Sequence, residues 1–286
     1  MLDYRDALAI PLLLFYVPCC ISSVVLIFRH GWWQSWWTWF VLSTFSITRV
    51  AYAALQLAAY THPERHGFRV AAATFAVDGV SPLLFKSLGL VHRLRAIIWR
   101  IRPDVSRSTL LGTSFLRLQE LLVTTALICA SVGYRGISRN EVEHGIAKHS
   151  SVLKAAAAMY LTTCAAIVLT TADLSMHYRA SIPRGEGKVL LVLVAGLPVL
   201  CIRTSYLAVD VLGDVARFSA ITGNVTIFLC LALLPEIVMS VGHLVLGFLV
   251  RVISREEWKA MQQNHNGKER NGQEGSLNEI LLDRPE

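Results

Sequence analysis

Seven blocks of apolar residues, each long enough to cross a hydrocarbon core, run through this chain. A bilayer-spanning helix needs roughly 20 predominantly apolar residues, and blocks of that length commit most of the sequence to lipid. They fall near residues 7–28, 36–59, 70–91, 110–133, 153–174, 189–209 and 225–250. The third, fourth and sixth are interrupted by charge. Open sheets cannot cross lipid, because their edge N–H and C=O groups go unpaired, and the blocks lack the alternation of barrel strands. The expected fold class is therefore all-α, an integral membrane bundle of seven transmembrane helices.

Composition agrees with that reading. Hydrophobic residues make up 54% of the 286 and charged residues 16%, whereas a soluble domain carries about a quarter charged residues. The connecting segments are too short to fold alone, so residues 1–253 read as one seven-span membrane domain. From residue 254 the composition turns to Glu, Lys, Asn, Gln and Gly, and 254–286 reads as a disordered polar tail. The first block is longer than a signal-peptide core and no small-residue cleavage site follows it, so it is expected to remain as a signal anchor.

Basic residues set the expected orientation. With the N-terminus outside, the inner loops hold Arg29, Arg93, Arg95, Arg100, Arg102, Arg107, Arg179, Arg184, Lys188, Arg251, Arg255 and Lys259. The outer set is Arg5, Arg65, Arg69, Arg135, Arg139, Lys148 and Arg217. The larger inner set predicts N-out, with a cytosolic C-terminal tail. It also accounts for much of the net charge of +7, so a nucleic-acid partner is not required. The partner implied by composition is the lipid bilayer.

Trp32, Trp33, Trp36, Trp37 and Trp39 crowd the entry to the second block and read as an interfacial belt. Pro11, Pro18, Pro82, Pro198 and Pro235 lie within blocks, where proline kinks helices and frees carbonyls for other donors. All six cysteines also lie within blocks, which suggests small core residues and neither a disulfide framework nor a zinc site. The sequon at Asn224 sits at a span edge, too close to the membrane for sugar transfer.

Ionisable residues inside the blocks carry the functional information, since each costs about 2.5 kcal/mol or more to insert. They are Arg49, Asp78, Lys86, Arg117, Glu120, Asp173, Arg203, Asp210, Glu236 and His243. Arg49, Asp78, Glu120 and Glu236 fall near mid-block, beyond snorkelling reach, and are expected to face the interior. Glu236, Ser240 and His243 follow i, i+4, i+7 and share one helix face. Arg203, Tyr206 and Asp210 do so at i, i+3, i+7, as do Arg49, Tyr52 and Gln56. Such stripes predict a polar chamber inside the bundle. Interhelical ion pairs are the plainer reading of any one of these residues.

Several chemistries lack their residues. The one H-x-x-x-H, His62 to His66, is in a loop, and there is no D-D-x-x-D for a magnesium-bound diphosphate. No nucleophile elbow, Walker loop or dinucleotide fingerprint is present. Acid–base chemistry on a lipophilic substrate, without metal or cofactor, remains open, as do ligand sensing and transport. A desolvated carboxylic acid can serve as a general acid.

The segments Leu14-Phe15-Tyr16-Val17-Pro18 with Arg29-His30-Gly31, Asp78-Gly79-Val80-Ser81-Pro82-Leu83-Leu84, Gly196-Leu197-Pro198 followed by Arg203, and Leu234-Pro235-Glu236 resemble a fungal family of seven-span membrane-bound terpene cyclases. It is the family of the cyclase in ascofuranone biosynthesis, and the likeness covers nearly everything before the tail. The resemblance implies a class II-like reaction in secondary metabolism. An acid protonates the epoxide of an epoxy-prenyl phenol, and a hydroxyl on the prenyl chain closes a tetrahydrofuran ring. It implies Glu236 or Glu120 as the acid, with Asp78 as the rival. Arg49 and Arg203 would set ionisation or hold the phenol end, beside Tyr206, and His243 would relay protons. Lys86 departs from the pattern, which leads one to expect an uncharged residue there. It would contact substrate or neutralise an acid. The endoplasmic reticulum is the expected membrane. A seven-span receptor is the main alternative, although the third block ends in Val91-His92-Arg93 and the seventh lacks N-P-x-x-Y and a retinal-bearing lysine. A small transporter is the other, although no internal repeat is visible.

Overall fold

A computed structural model describes residues 7–30, 36–62, 66–77, 79–101, 110–135, 149–182, 186–213, 215–219 and 223–250. Asp78 and the polar tail from residue 254, both singled out above, lie outside the described residues. The principal elements are α1 (Ala9–His30), α2 (Trp36–Thr61), α3 (His66–Val77), α4 (Val80–Ile101), α5 (Thr113–Arg135), α6 (Ser151–His177) and α7 (Gly187–Gly213). The last helix, α8, runs Val225–Leu249. No strand occurs among the described residues.

Among the described residues, seven helical segments are long and apolar enough to cross a membrane: Ala9–His30, Trp39–Thr61, Thr74–Trp99, Thr113–Gly133, Ser151–His177, Gly187–Gly213 and Val225–Leu249. The protein is thus an all-helical bundle whose seven candidate spans fit a multi-pass membrane protein. Its outer surface is apolar, with Leu14, Phe28, Leu121, Met176 and Leu191 all largely exposed. Bare hydrocarbon side chains on that scale fit a surface solvated by lipid.

The third span departs from the sequence reading in two ways. It sits further along the chain than 70–91, and it is broken: α3 ends at Val77 and α4 starts at Val80. Arg93 and Arg95 are consequently helical residues of α4 and not loop residues. The Arg93 guanidinium grips Glu186 in a fork, Nη2 to Oε1 at 2.9 Å and Nε to Oε2 at 3.1 Å, which ties α4 to the start of α7. Arg95 donates to the Thr113 hydroxyl on α5. Long apolar neighbours had masked a boundary that these polar pairs set.

The α4 helix is the hub of the bundle. It packs against α2, α5, α6 and α7, and 69% of its span window is buried against 28–44% in the other six. The remaining helices surround it, with α8 lying between α7 and α1. Leu83, Leu84 and Leu88 carry this helix into the main apolar core, where they meet Phe45, Ala126, Tyr160, Leu200 and Met239 among others.

Prolines act locally, each in its own way. Pro18 and Pro198 lie inside α1 and α7. Pro82 falls in the first turn of α4 and Pro11 in that of α1, where a missing N–H is harmless. Pro235 follows a five-residue π-helical turn, Leu229–Leu233, that widens α8 just before Glu236. A proline cannot donate to the carbonyl one turn back, and the wider turn accommodates that gap. Asn224 serves as the N-cap of α8, its Oδ1 accepting from the backbone N–H groups of Thr226 at 2.8 Å and Ile227 at 3.4 Å. Trp39 departs from the belt expectation. It is 3% exposed and stacks on His30 at 5.1 Å, while His30 Nε2 pairs with the Gly247 carbonyl at 2.8 Å.

Candidate functional site

The polar stripes do face inward. Glu236, Ser240 and His243 on α8 are all buried, as are Arg203, Tyr206 and Asp210 on α7, and Arg49 and Tyr52 on α2. These helices turn their apolar faces to lipid and to one another, which leaves the charged side chains one place to go.

Glu236 is the centre of the constellation. Its Oε1 accepts from Arg49 Nη2 and from Arg203 Nε, both at 2.7 Å. All three side chains are essentially without solvent contact, at 0%, 0% and 2% exposure for Glu236, Arg49 and Arg203. The break in the third span completes the arrangement. Arg49 donates from Nη1 to the Phe75 carbonyl at 3.1 Å and from Nη2 to the Ala76 carbonyl at 3.2 Å, and Arg203 Nη2 donates to Ala76 at 3.3 Å. These carbonyls close α3, whose C-terminal end carries partial negative charge and favours cations. Helix breaks within lipid survive only where the freed backbone groups are satisfied from inside the protein. Here the two arginines satisfy them.

Gly79 sits in the gap between α3 and α4 and makes this convergence possible. A Cβ there would lie 1.4 Å from Arg49 Nη2 and 2.7 Å from Glu236 Oε1. Glycine is needed for close approach alone.

Several polar atoms at the site remain open, Arg49 Nε among them. Glu236 Oε2 and Arg203 Nη1 are buried without a hydrogen-bond partner. Tyr16, on α1 and 0% exposed, stands beside Ser240 within electrostatic reach of Glu236 and Arg49. The Arg49 guanidinium also lies over the rings of Phe45 and Tyr52, at 5.4 and 5.9 Å, and Arg203 over Tyr206 at 5.8 Å. Cations against aromatic faces are stabilised further in a desolvated setting.

Glu120 does not join this centre. Its side chain is 39% exposed, pairs with His92 of α4 at 3.1 Å, and lines an outward-facing groove of about 520 Å³ with Phe85, Arg117, Leu121 and Thr124. The expectation that Glu120 faces the interior is therefore corrected. The α5 face carrying it looks outward, and a neighbouring histidine meets the carboxylate there. Asp210 is met by His149 at 3.4 Å, and Asp173 by His177 at 2.9 Å. His243 lies one level away from Glu236 on α8, its Nδ1 donating to the Met239 carbonyl at 2.6 Å. No group of three or more His, Cys, Asp or Glu suited to a metal ion occurs among the described residues.

Of the residues the sequence singles out, Arg49, Arg203 and Glu236 come together, with Tyr206 beside Arg203. Sequence reasoning missed Gly79, Tyr16, the carbonyls of Phe75 and Ala76, and the partnership of His92 with Glu120. The carbonyls depend on a helix break that an apolar sequence does not announce. Gly79 had a weak signal, standing next to Asp78 and three residues before Pro82 within an apolar block.

A family model spans residues 2–253. The chain belongs to that family, the domain of unknown function DUF7702. The match covers all seven spans of the DUF7702 chain and stops where the polar tail starts. Neither the curated proteins nor the solved structures yield a match.

Proposed function

We propose that this protein is a cofactor-independent, membrane-bound cyclase that opens an epoxide on a prenylated phenol, with Glu236 as the acid. The observation that carries the reading is the asymmetry at Glu236. Two guanidiniums hold Oε1, while Oε2 is buried with no partner. A proton on Oε2 would point its donor at a substrate oxygen. As that proton leaves, the negative charge on the carboxylate is met by two arginines already in place. Such preorganised charge stabilisation in a dry site is the largest single contribution in many enzymes.

The reaction then balances without an added reagent. The epoxide oxygen takes the Oε2 proton, the C–O bond to the more substituted carbon breaks, and a hydroxyl on the prenyl chain forms the new C–O bond. That hydroxyl surrenders its proton to the Glu236 carboxylate, with Ser240 and Tyr16 near enough to orient the groups. Substrate and product are isomers, and both dissolve in lipid. The outward-facing groove at Phe85 and Glu120 offers such a molecule a lateral entry. The endoplasmic reticulum, with the N-terminus outside, is the proposed location.

The helix break favours a second reading, since broken spans often mark substrate sites in transporters. The α3 carbonyls that would hold a cation there are instead occupied by Arg49 and Arg203, which ranks transport behind catalysis. Microsomes bearing the protein, given epoxidised farnesyl phenols with and without a chain hydroxyl, should yield a new peak of unchanged mass. Flux of the same compounds across sealed vesicles with no conversion would support transport instead.

A further inference from the structure

Glu236 and His243 stand seven residues apart on α8, and Lys86 of α4 stands seven residues after Gly79, which immediately precedes that helix. Seven residues of helix rise about 10 Å. Gly79 touches the Arg49–Glu236 contact, and Lys86 is within electrostatic reach of His243. On α1 the corresponding residues are three apart, with Tyr16 within electrostatic reach of Glu236 and Cys19 within reach of Lys86. The interior is therefore built in two polar levels, one around Glu236 and one around Lys86 and His243.

The second level has no acid among the described residues. Lys86 is 1% exposed, and its Nζ has no hydrogen-bond partner. Its neighbours there are a thiol, Cys19, and an imidazole, His243. His243 Nδ1 is committed to the Met239 carbonyl, so its Nε2 is the nitrogen left to meet another group. Glu236 is engaged by two arginines on its own level. Among the described buried residues the carboxyls are Glu236, held by Arg49 and Arg203, and Asp210, met by His149, and neither is paired with Lys86. Burying a charge without a counter-charge or hydrogen bonds costs several kcal/mol, and an anion at Lys86 would remove that cost.

We propose that Lys86 and His243 form a binding site for the anionic head, a carboxylate or phenolate, of a lipophilic ligand whose tail lies toward Glu236. The ammonium supplies a charged donor and the imidazole Nε2 a second contact. The identity of the tail as a reacting prenyl epoxide rests on the function proposed above, whereas the anion site stands on Lys86 itself. With the head fixed at Lys86, the reacting carbon must reach a point about 10 Å away. A farnesyl chain is longer than that when extended, so it would have to fold, as ring closure requires.

The test uses the full chain in lipid nanodiscs with two probes, a farnesylated hydroxybenzoate and its methyl ester. Affinities are read by competition against a radiolabelled sample of the acid. The acid is expected to bind at least tenfold more tightly than the ester. Lys86→Met should abolish that preference, and Lys86→Arg should keep most of it. Lys86→Gln serves as a second neutral variant should the methionine form fail to fold. Equal affinity for acid and ester, or an unchanged preference in folded Lys86→Met or Lys86→Gln, would overturn the proposal. The same probes carrying an epoxide separate the two ideas. Tight acid-selective binding without conversion would sink the cyclase reading and keep the anion site. Conversion without acid selectivity would do the reverse.

Discussion

Replacing Gly79 with alanine adds a single methyl group, yet the structure assigns it a large effect. The new Cβ would stand 1.4 Å from Arg49 Nη2, 2.5 Å from its Cζ and 2.7 Å from Glu236 Oε1. Real Cβ atoms do not approach heavy atoms that closely, so Arg49 must withdraw. In doing so it leaves the Phe75 carbonyl and withdraws one of the two arginine donors at Glu236 Oε1 and at the Ala76 carbonyl. No flexible surface is available to receive the displaced charge. Breaking a buried ion pair from one side costs about 3–5 kcal/mol, and that is the range expected for Gly79→Ala. The backbone at Gly79 is not left-handed, so no conformational strain enters the comparison. Unfolding of purified protein in mixed micelles measures the loss. The discriminating step is a double-mutant cycle with Arg49→Met, because most of the clash vanishes once the guanidinium is gone. The alanine should then cost well under half as much. An equal cost in both backgrounds, or a stability unchanged by the alanine, would refute the packing of Gly79 against Arg49.

Three other changes test separate parts of the structure. Lys86→Met should stabilise the ligand-free protein by about 2 kcal/mol or more in the same unfolding assay, because it removes a buried charge that has no hydrogen-bond partner; a loss of stability would mean that the ammonium has an unseen partner. Gly247→Ala would place its Cβ 2.6 Å from Leu26 and 2.7 Å from Trp39, and overpacking of this kind costs about 1–3 kcal/mol, to be read as a lower unfolding midpoint with altered Trp39 fluorescence. Asn224→Ala should lose about 1 kcal/mol through the missing α8 cap, with no shift in gel mobility before or after glycosidase treatment if the sequon carries no sugar.

The seven spans were legible because length and hydropathy alone decide them in lipid. The inward faces of α2, α7 and α8 were legible as well, because helical spacing fixes which residues share a side: Glu236 with Ser240 and His243, Arg203 with Tyr206. Other features depend on partners distant in sequence. Glu120 is as ionisable as Glu236 and as deep in its apolar block, but its helix turns that face outward and His92 is there to meet it. The break between α3 and α4 is hidden in an apolar run, and what makes it tolerable, the two arginine side chains on the Phe75 and Ala76 carbonyls, comes from other helices. Trp39 belonged by type to an interfacial belt, and a stack against His30 over Gly247 holds it inside. Lys86 stood out in the sequence as a charge in an apolar block, and only in three dimensions does its Nζ prove to have no acid beside it among the described residues.

The role of Glu236 as the acid is tested by comparing wild type with Glu236→Gln in microsomes supplied with an epoxidised farnesyl phenol bearing a chain hydroxyl. Folded protein is quantified in each sample, and Glu120→Gln serves as a parallel control. Glutamine keeps the shape of Glu236 but cannot deliver the proton. An isomeric cyclic product is expected from wild type and from Glu120→Gln, and none above background from Glu236→Gln. Cyclisation at an undiminished rate by folded Glu236→Gln would contradict that role, as would the absence of any product from wild type.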